Sequence, residues 1–216
     1  MRKTTKLLMI IASLMLLILY FVPFWKISLL APQYPEYPDG LMIRIGLTSM
    51  TGGGEHHLEI IDLLNHYIGM RTLPKDIPDF SILPYYVALM ILFGLISVAV
   101  GDLILKKRRL EVINLVLIEM WVSFFAIIGT AGIWGFYLRG YEYAHNLDMS
   151  SPLANAVIGM NYEPPLIGSK QLLNITAQSL PDIGGYILFL SFALGSAAFF
   201  YELVSYIKYC RRKKEQ

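Results

Sequence analysis

Leu103-Ile-Leu-Lys-Lys-Arg-Arg-Leu-Glu-Val-Ile113 decides the fold. Four consecutive basic residues, Lys106, Lys107, Arg108 and Arg109, separate two long apolar runs. Positive charge beside a membrane span stays on the cytoplasmic side. Working outward, Arg2, Lys3 and Lys6 precede a first apolar run, and Lys208, Arg211, Arg212, Lys213 and Lys214 follow a last one. The three clusters agree with one topology: both termini cytoplasmic, four spans, and two long loops outside. A span needs about 20 apolar residues, and four stretches qualify, at about 7–25, 84–105, 112–137 and 184–207, with loops at 26–83 and 138–183. The 216 residues are 56% apolar and 16% charged with a mean hydropathy of +0.54, which is too apolar for an ordinary soluble domain. The expectation is an all-α membrane protein: four transmembrane helices in one domain, with an extracytoplasmic cap formed by the two loops.

The net charge of +2 hides an asymmetry. The loops carry more acids than bases, so the outer face is acidic and the inner face basic. An acidic outer face suits a cation or a basic partner, and it is also the plain consequence of the topology rule. One cysteine, Cys210, sits in the cytoplasmic tail, which excludes a disulfide framework and any thiolate metal site outside. The first span resembles a signal peptide, but bulky Phe21-Val-Pro-Phe-Trp25 at its end does not suit cleavage; the expectation is an uncleaved anchor.

The first loop opens with Ala31-Pro-Gln-Tyr-Pro-Glu-Tyr-Pro-Asp-Gly40, where three prolines forbid helix and favour an extended course closed by a turn at Asp39-Gly40. Leu41 to Leu47 reads as a short strand. Beyond Gly52-Gly-Gly54, residues 55–68 read as an amphipathic helix, with Leu58, Ile61, Leu64 and Ile68 on one face and Gly69 as its C-terminal cap. In the second loop, helix is expected around Lys170 to Gln178. Tyr85, Tyr86, Trp134, Tyr137 and Tyr186 fall where an aromatic belt would lie. Gly94, Ser97 and Gly101, and likewise Ser191 and Gly195, form small-residue helix faces, a packing signal either within the chain or toward a partner.

All four histidines, His56, His57, His66 and His145, lie in the loops among methionines. Imidazole and thioether together select copper, especially Cu(I). His66 and Met70 are four apart, and His145 and Met149 repeat that spacing, so two His-x-x-x-Met units on two loops could close one metal site. Such a pair is also common by chance, and a lone interfacial histidine is ordinarily a hydrogen-bonding surface residue. His56 and His57 project about 100° apart on a helix and are reserve ligands or a transfer patch. Within the spans, Glu119 is the best candidate for a proton or cation contact. Its ordinary alternative is a buried, hydrogen-bonded packing residue, while Asp102 and Glu202 are expected to pair with nearby Lys and Arg. There is no P-loop, Gly-x-Ser-x-Gly, His-Glu-x-x-His or Cys-x-x-Cys, so no residue is assigned a catalytic role and a non-enzymatic function is favoured. Nothing suggests nucleic acid as a partner.

Ala31-Pro-Gln-Tyr-Pro-Glu36, Leu64-Asn-His-Tyr-Ile-Gly-Met70, Tyr141-Glu-Tyr-Ala-His-Asn-Leu-Asp148, and Tyr162-Glu-Pro-Pro-Leu-Ile-Gly-Ser-Lys170 with Pro181-Asp-Ile-Gly-Gly185 carry a resemblance. Together they resemble a family of small multi-pass membrane proteins associated with bacterial gene clusters for respiratory nitrous oxide reductase. The resemblance covers both loops and little of the spans, and Tyr37-Pro38 departs from its pattern. The family has no established biochemical role, so the motifs carry location and context. The resemblance implies a bacterial inner membrane and service to an extracytoplasmic copper oxidoreductase, which needs copper delivered and electrons from the membrane. The resulting expectation is an accessory protein for copper handling or maturation. One alternative is a structural or docking subunit of a membrane respiratory complex, and another is a small transporter using Glu119.

Overall fold

The computed structural model describes residues 1–73, 78–105, 111–148, 150–151, 165–172 and 174–214. The chain divides into two compact units: a helical unit of residues 1–21, 82–130 and 186–216, and a sheet unit of residues 22–81 and 131–185. The basic cluster Lys106–Arg109 falls outside the described residues.

Among the described residues, four helices are long and apolar enough to cross a membrane, at Lys3–Tyr20, Phe80–Leu103, Val112–His145 and Ile183–Arg212. They belong to α1 (Lys3–Met15, tightening into a 3-10 turn at Leu16–Tyr20), α3 (Pro78–Leu105), α4 (Glu111–His145) and α5 (Ile183–Lys214). The 35 residues of α4 make a rod of about 52 Å, longer than a hydrocarbon core of about 30 Å. The first helix stops at Tyr20 rather than Trp25, because Pro23 supplies no N–H and Phe24 is already bonded to the sheet unit. Phe24 N–H donates to Ile45 O at 2.9 Å, and its own carbonyl accepts from Asp182 N–H at 3.1 Å. The five aromatic residues expected at an interface, Tyr85, Tyr86, Trp134, Tyr137 and Tyr186, are all exposed.

Within the helical unit the packing turns on Trp121, which is fully buried. Its indole Nε1–H donates to Met90 O at 2.9 Å. A Cβ on Gly195 would lie 2.2 Å from Trp121 Cζ3, and one on Gly94 would lie 2.9 Å from Trp121 Nε1. The glycines of α3 and α5 therefore make the slot for the indole. Ser191 Oγ donates to Ala12 O at 2.7 Å, joining α5 to α1. The small-residue faces are thus spent inside the chain. The first turns of α1 are tied down by polar contacts. Thr5 Oγ1 donates to buried Glu202 at 2.6 Å, and Lys6 pairs with Asp102. Asp102 therefore finds a lysine as expected, whereas Glu202 takes a hydroxyl instead.

The sheet unit corrects the all-α expectation. Its five antiparallel strands run in the order β3-β2-β1-β5-β4. The strands are β1 (Trp25–Leu30), β2 (Leu41–Ile45), β3 (Met50–Gly52), β4 (Gly168–Leu172) and β5 (Ile175–Pro181). Central β1 pairs with β2, Trp25 opposite Ile45, and with β5, Trp25 opposite Pro181. Strands from both loops therefore form one sheet. The helix expected over Lys170 to Gln178 is the β4–β5 hairpin. Its inward positions on β5, Ala177 and Ser179, are small, so the two-residue alternation of burial leaves no apolar alternation to read.

Between β1 and β2 the proline stretch is not extended. Tyr34 N–H donates to Ala31 O at 3.0 Å, Tyr37 N–H to Tyr34 O at 3.1 Å and Gly40 N–H to Tyr37 O at 2.9 Å. These are three successive turns, each with proline at its second position, where a fixed φ near −65° is favoured. Every third residue, Tyr34 then Tyr37, turns onto the core of Leu41, Ile43 and Ile61. The amphipathic helix is α2 (His57–Ile68), and its Ile61 lies in that same core.

Gly195→Val should destabilise the protein by roughly 1–3 kcal/mol, the usual cost of overpacking. Gly132→Ala, where an added Cβ meets nothing within 4 Å, should be neutral or stabilise by up to about 1 kcal/mol. Thermal unfolding in detergent checks the contrast, and equal effects would contradict the Trp121 slot.

Candidate functional site

Of the expected ligands, His66 and Met70 sit where α2 ends. Gly69 takes the left-handed conformation at φ 80°, which L-residues resist. Its N–H donates to His66 O at 3.3 Å and Met70 N–H to Asn65 O at 2.8 Å, the paired bonds of a Schellman stop. Met70 therefore leaves the helix, as expected from Gly69. The chain then runs back along α2, where Asp62 Oδ1 accepts from Leu73 N–H at 2.6 Å.

Three contacts bring this segment against the end of α4 and the residues after it. Asp148 N–H donates to Gly69 O at 2.7 Å. Arg71 pairs with Glu142 at 3.6 Å, and Tyr143 OH reaches Thr72 O at 3.4 Å. The two exposed side-chain contacts are weak, so the buried backbone of Gly69 carries the junction. A Cβ at Gly69 would stand 2.6 Å from Asp148 O, so only glycine allows this approach. Residues 69–72 therefore lie beside residues 142–148.

His145 Nδ1 lies 2.9 Å from Tyr141 O. A carbonyl only accepts, so Nδ1 carries a proton, and in the neutral tautomer the lone pair is on Nε2. Backbone support of this kind is what orients metal-binding imidazoles. The ring stacks on Tyr141 at 3.9 Å and is exposed, as is His66. Asp148 was visible in sequence only as the last residue of a motif, yet the fold makes it part of the junction. Its carboxylate is held below the usual carboxylate range by Ser150, whose N–H donates at 3.0 Å and whose Oγ–H donates at 2.7 Å, with a smaller contribution from His66. Met149 lies outside the described residues. Among the described residues no three His, Cys, Asp or Glu side chains are grouped to hold a metal ion.

His56 and His57 diverge. His57 is buried, and its Nδ1 accepts Met42 N–H at 2.9 Å while its ring meets the edge of Tyr37 at 4.8 Å. This histidine fastens the start of α2 to β2 and the proline turns. His56, at φ 63°, points out and pairs with Glu59 at 2.8 Å. Glu119 is exposed on α4 rather than buried among the helices.

No protein-family model matches this sequence, and comparison with curated proteins finds no significant match.

His57→Phe leaves the Met42 N–H without its acceptor and should cost about 1–3 kcal/mol in thermal unfolding, without changing metal binding. A loss of metal binding with unchanged stability would reverse that assignment. Acid should also loosen the Asp148–Ser150 contacts. A carboxylate with a lowered folded pKa stabilises above its unfolded value and loses that contribution as pH falls through the folded one. Asp148→Asn should remove this part of the acid response, read as amide protection around Ser150.

Proposed function

We propose that this chain is an accessory integral membrane protein that handles Cu(I) for an extracytoplasmic copper oxidoreductase. His66, Met70, His145 and Met149 are the ligands, and His56 is at most an outlying transfer group. The observation that supports the reading is the Gly69–Asp148 hydrogen bond, which sets a residue of the first His-x-x-x-Met segment against a residue of the second. Two imidazoles with two thioethers form a soft, neutral donor set that suits Cu(I) and leaves harder ions poorly served. The lone pair left on His145 Nε2 and the anionic Asp148 nearby add to a surface that attracts a cation. The resemblance of the loops to proteins associated with nitrous oxide reductase clusters gives the client enzyme. Copper would be received and passed on at an exposed site, which fits exchange between proteins better than permanent storage.

The purified protein, reduced and anaerobic, should bind about one Cu(I) per chain. His66→Ala and His145→Ala should each weaken binding by at least about tenfold, since every 1.4 kcal/mol lost is tenfold in affinity. Gly69→Val should do the same without touching a ligand, because it forces the segments apart. Binding that is absent in the wild type, or unchanged in all three variants, would remove the proposal.

A further inference from the structure

The geometry points to the outer face of α4 around Glu119 as a docking surface for a transmembrane helix of another protein, one carrying Lys, Arg or His within its span. Successive helix residues are set about 100° apart. Asn114, Ile118 and Trp121 of α4 are fully buried in the helical unit. The opposite side presents Glu119, Ser123, Ala126 and Thr130, spaced four, three and four apart, and all are exposed. They lie within about 60° of one another and form one stripe.

That stripe differs from the other outward faces of the unit. On α3 the exposed positions include Leu89, Leu92 and Ile96, and on α5 they include Phe189, Leu190 and Phe200, as suits contact with acyl chains. Along this stripe of α4, flanked by exposed Met120 and Ile127, a carboxylate, two hydroxyls and a methyl replace them. Small and hydroxyl side chains let a second helix come close, and polar groups within spans face partners rather than lipid. No hydrogen bond or ion pair reaches the Glu119 carboxylate among the described residues.

Charge complementarity selects the occupant. None of the four apolar stretches contains Lys, Arg or His. A second copy of this chain therefore brings no counter-charge to the depth of Glu119, and side-by-side copies would set carboxylate against carboxylate. A foreign span with a basic side chain supplies the missing donor, and Ser123 and Thr130 add hydrogen bonds beside it. This surface is separate from the copper ligands, so either assignment stands or falls alone.

The test places the full-length protein in phosphatidylcholine vesicles with a synthetic leucine-alanine transmembrane helix bearing one lysine at matching depth. Association, read by energy transfer, should be about tenfold tighter than for the all-apolar helix, and Glu119→Gln should erase the difference. Equal association of the two helices, or a preference that survives Glu119→Gln, overturns the proposal. In native membranes, a photocrosslinker at Ser123 should capture a protein with a basic residue in its span, and Glu119→Gln should abolish the adduct. Capture of lipid alone, or of a second copy, overturns it. No hydrogen bond or ion pair reaches the Glu119 carboxylate among the described residues, so Glu119→Gln should keep the wild-type thermal transition in detergent. A crosslinker at exposed Leu92 of α3 is the control.

Discussion

The antiparallel pairing of Trp25–Leu30 with Ile175–Pro181 is the constraint on which the polar half of this protein depends. Strand β1 leaves the first helix within a few residues of its end, and β5 runs directly into the last. Their ladder joins the two loops through paired residues that stand more than 140 positions apart in sequence. Closing so long a loop is entropically costly, and the continuous backbone hydrogen bonding of a five-stranded sheet offsets it. Trp25 fastens the ladder at one end, its indole Nε1–H donating to Ser179 Oγ at 2.8 Å. With the sheet in place, β2 and α2 pack on one core, and α2 ends at Gly69.

The helical unit rests on a different interaction, a large ring in a slot made by absent side chains. Trp121 fills the space left by Gly94 and Gly195, so three helices approach around one indole. The small residues are consumed there, while the polar stripe of α4 faces the other way. Two kinds of helix face that look alike in sequence thus have opposite destinations.

The spans were legible because twenty apolar residues in a row leave few alternatives, and α2 because its apolar residues recur at helical spacing before a capping glycine. Strand β2 was legible from its β-rich run. Strand β1 was not, because Trp25 adjoins an apolar run and was counted as its end, although Trp25, Ile27 and Leu29 alternate as a strand would. The β4–β5 hairpin was hidden by its small inward residues, and only pairing with β1 makes it a strand. Prolines correctly excluded helix from residues 31–40, but their repeat, with tyrosine after each second residue, encodes stacked turns rather than an extended chain. At the candidate site, spacing picked out His66, Met70, His145 and Met149. What spacing did not reveal is that Asp148 meets Gly69, or that His57 is a core acceptor.

The most direct test of the account is X-ray absorption spectroscopy of the Cu(I)-loaded protein. The expected result is one mononuclear site whose shell combines imidazole nitrogen from His66 and His145 with thioether sulfur from Met70 and Met149. A shell without sulfur, or copper scattered over unrelated sites, would contradict it.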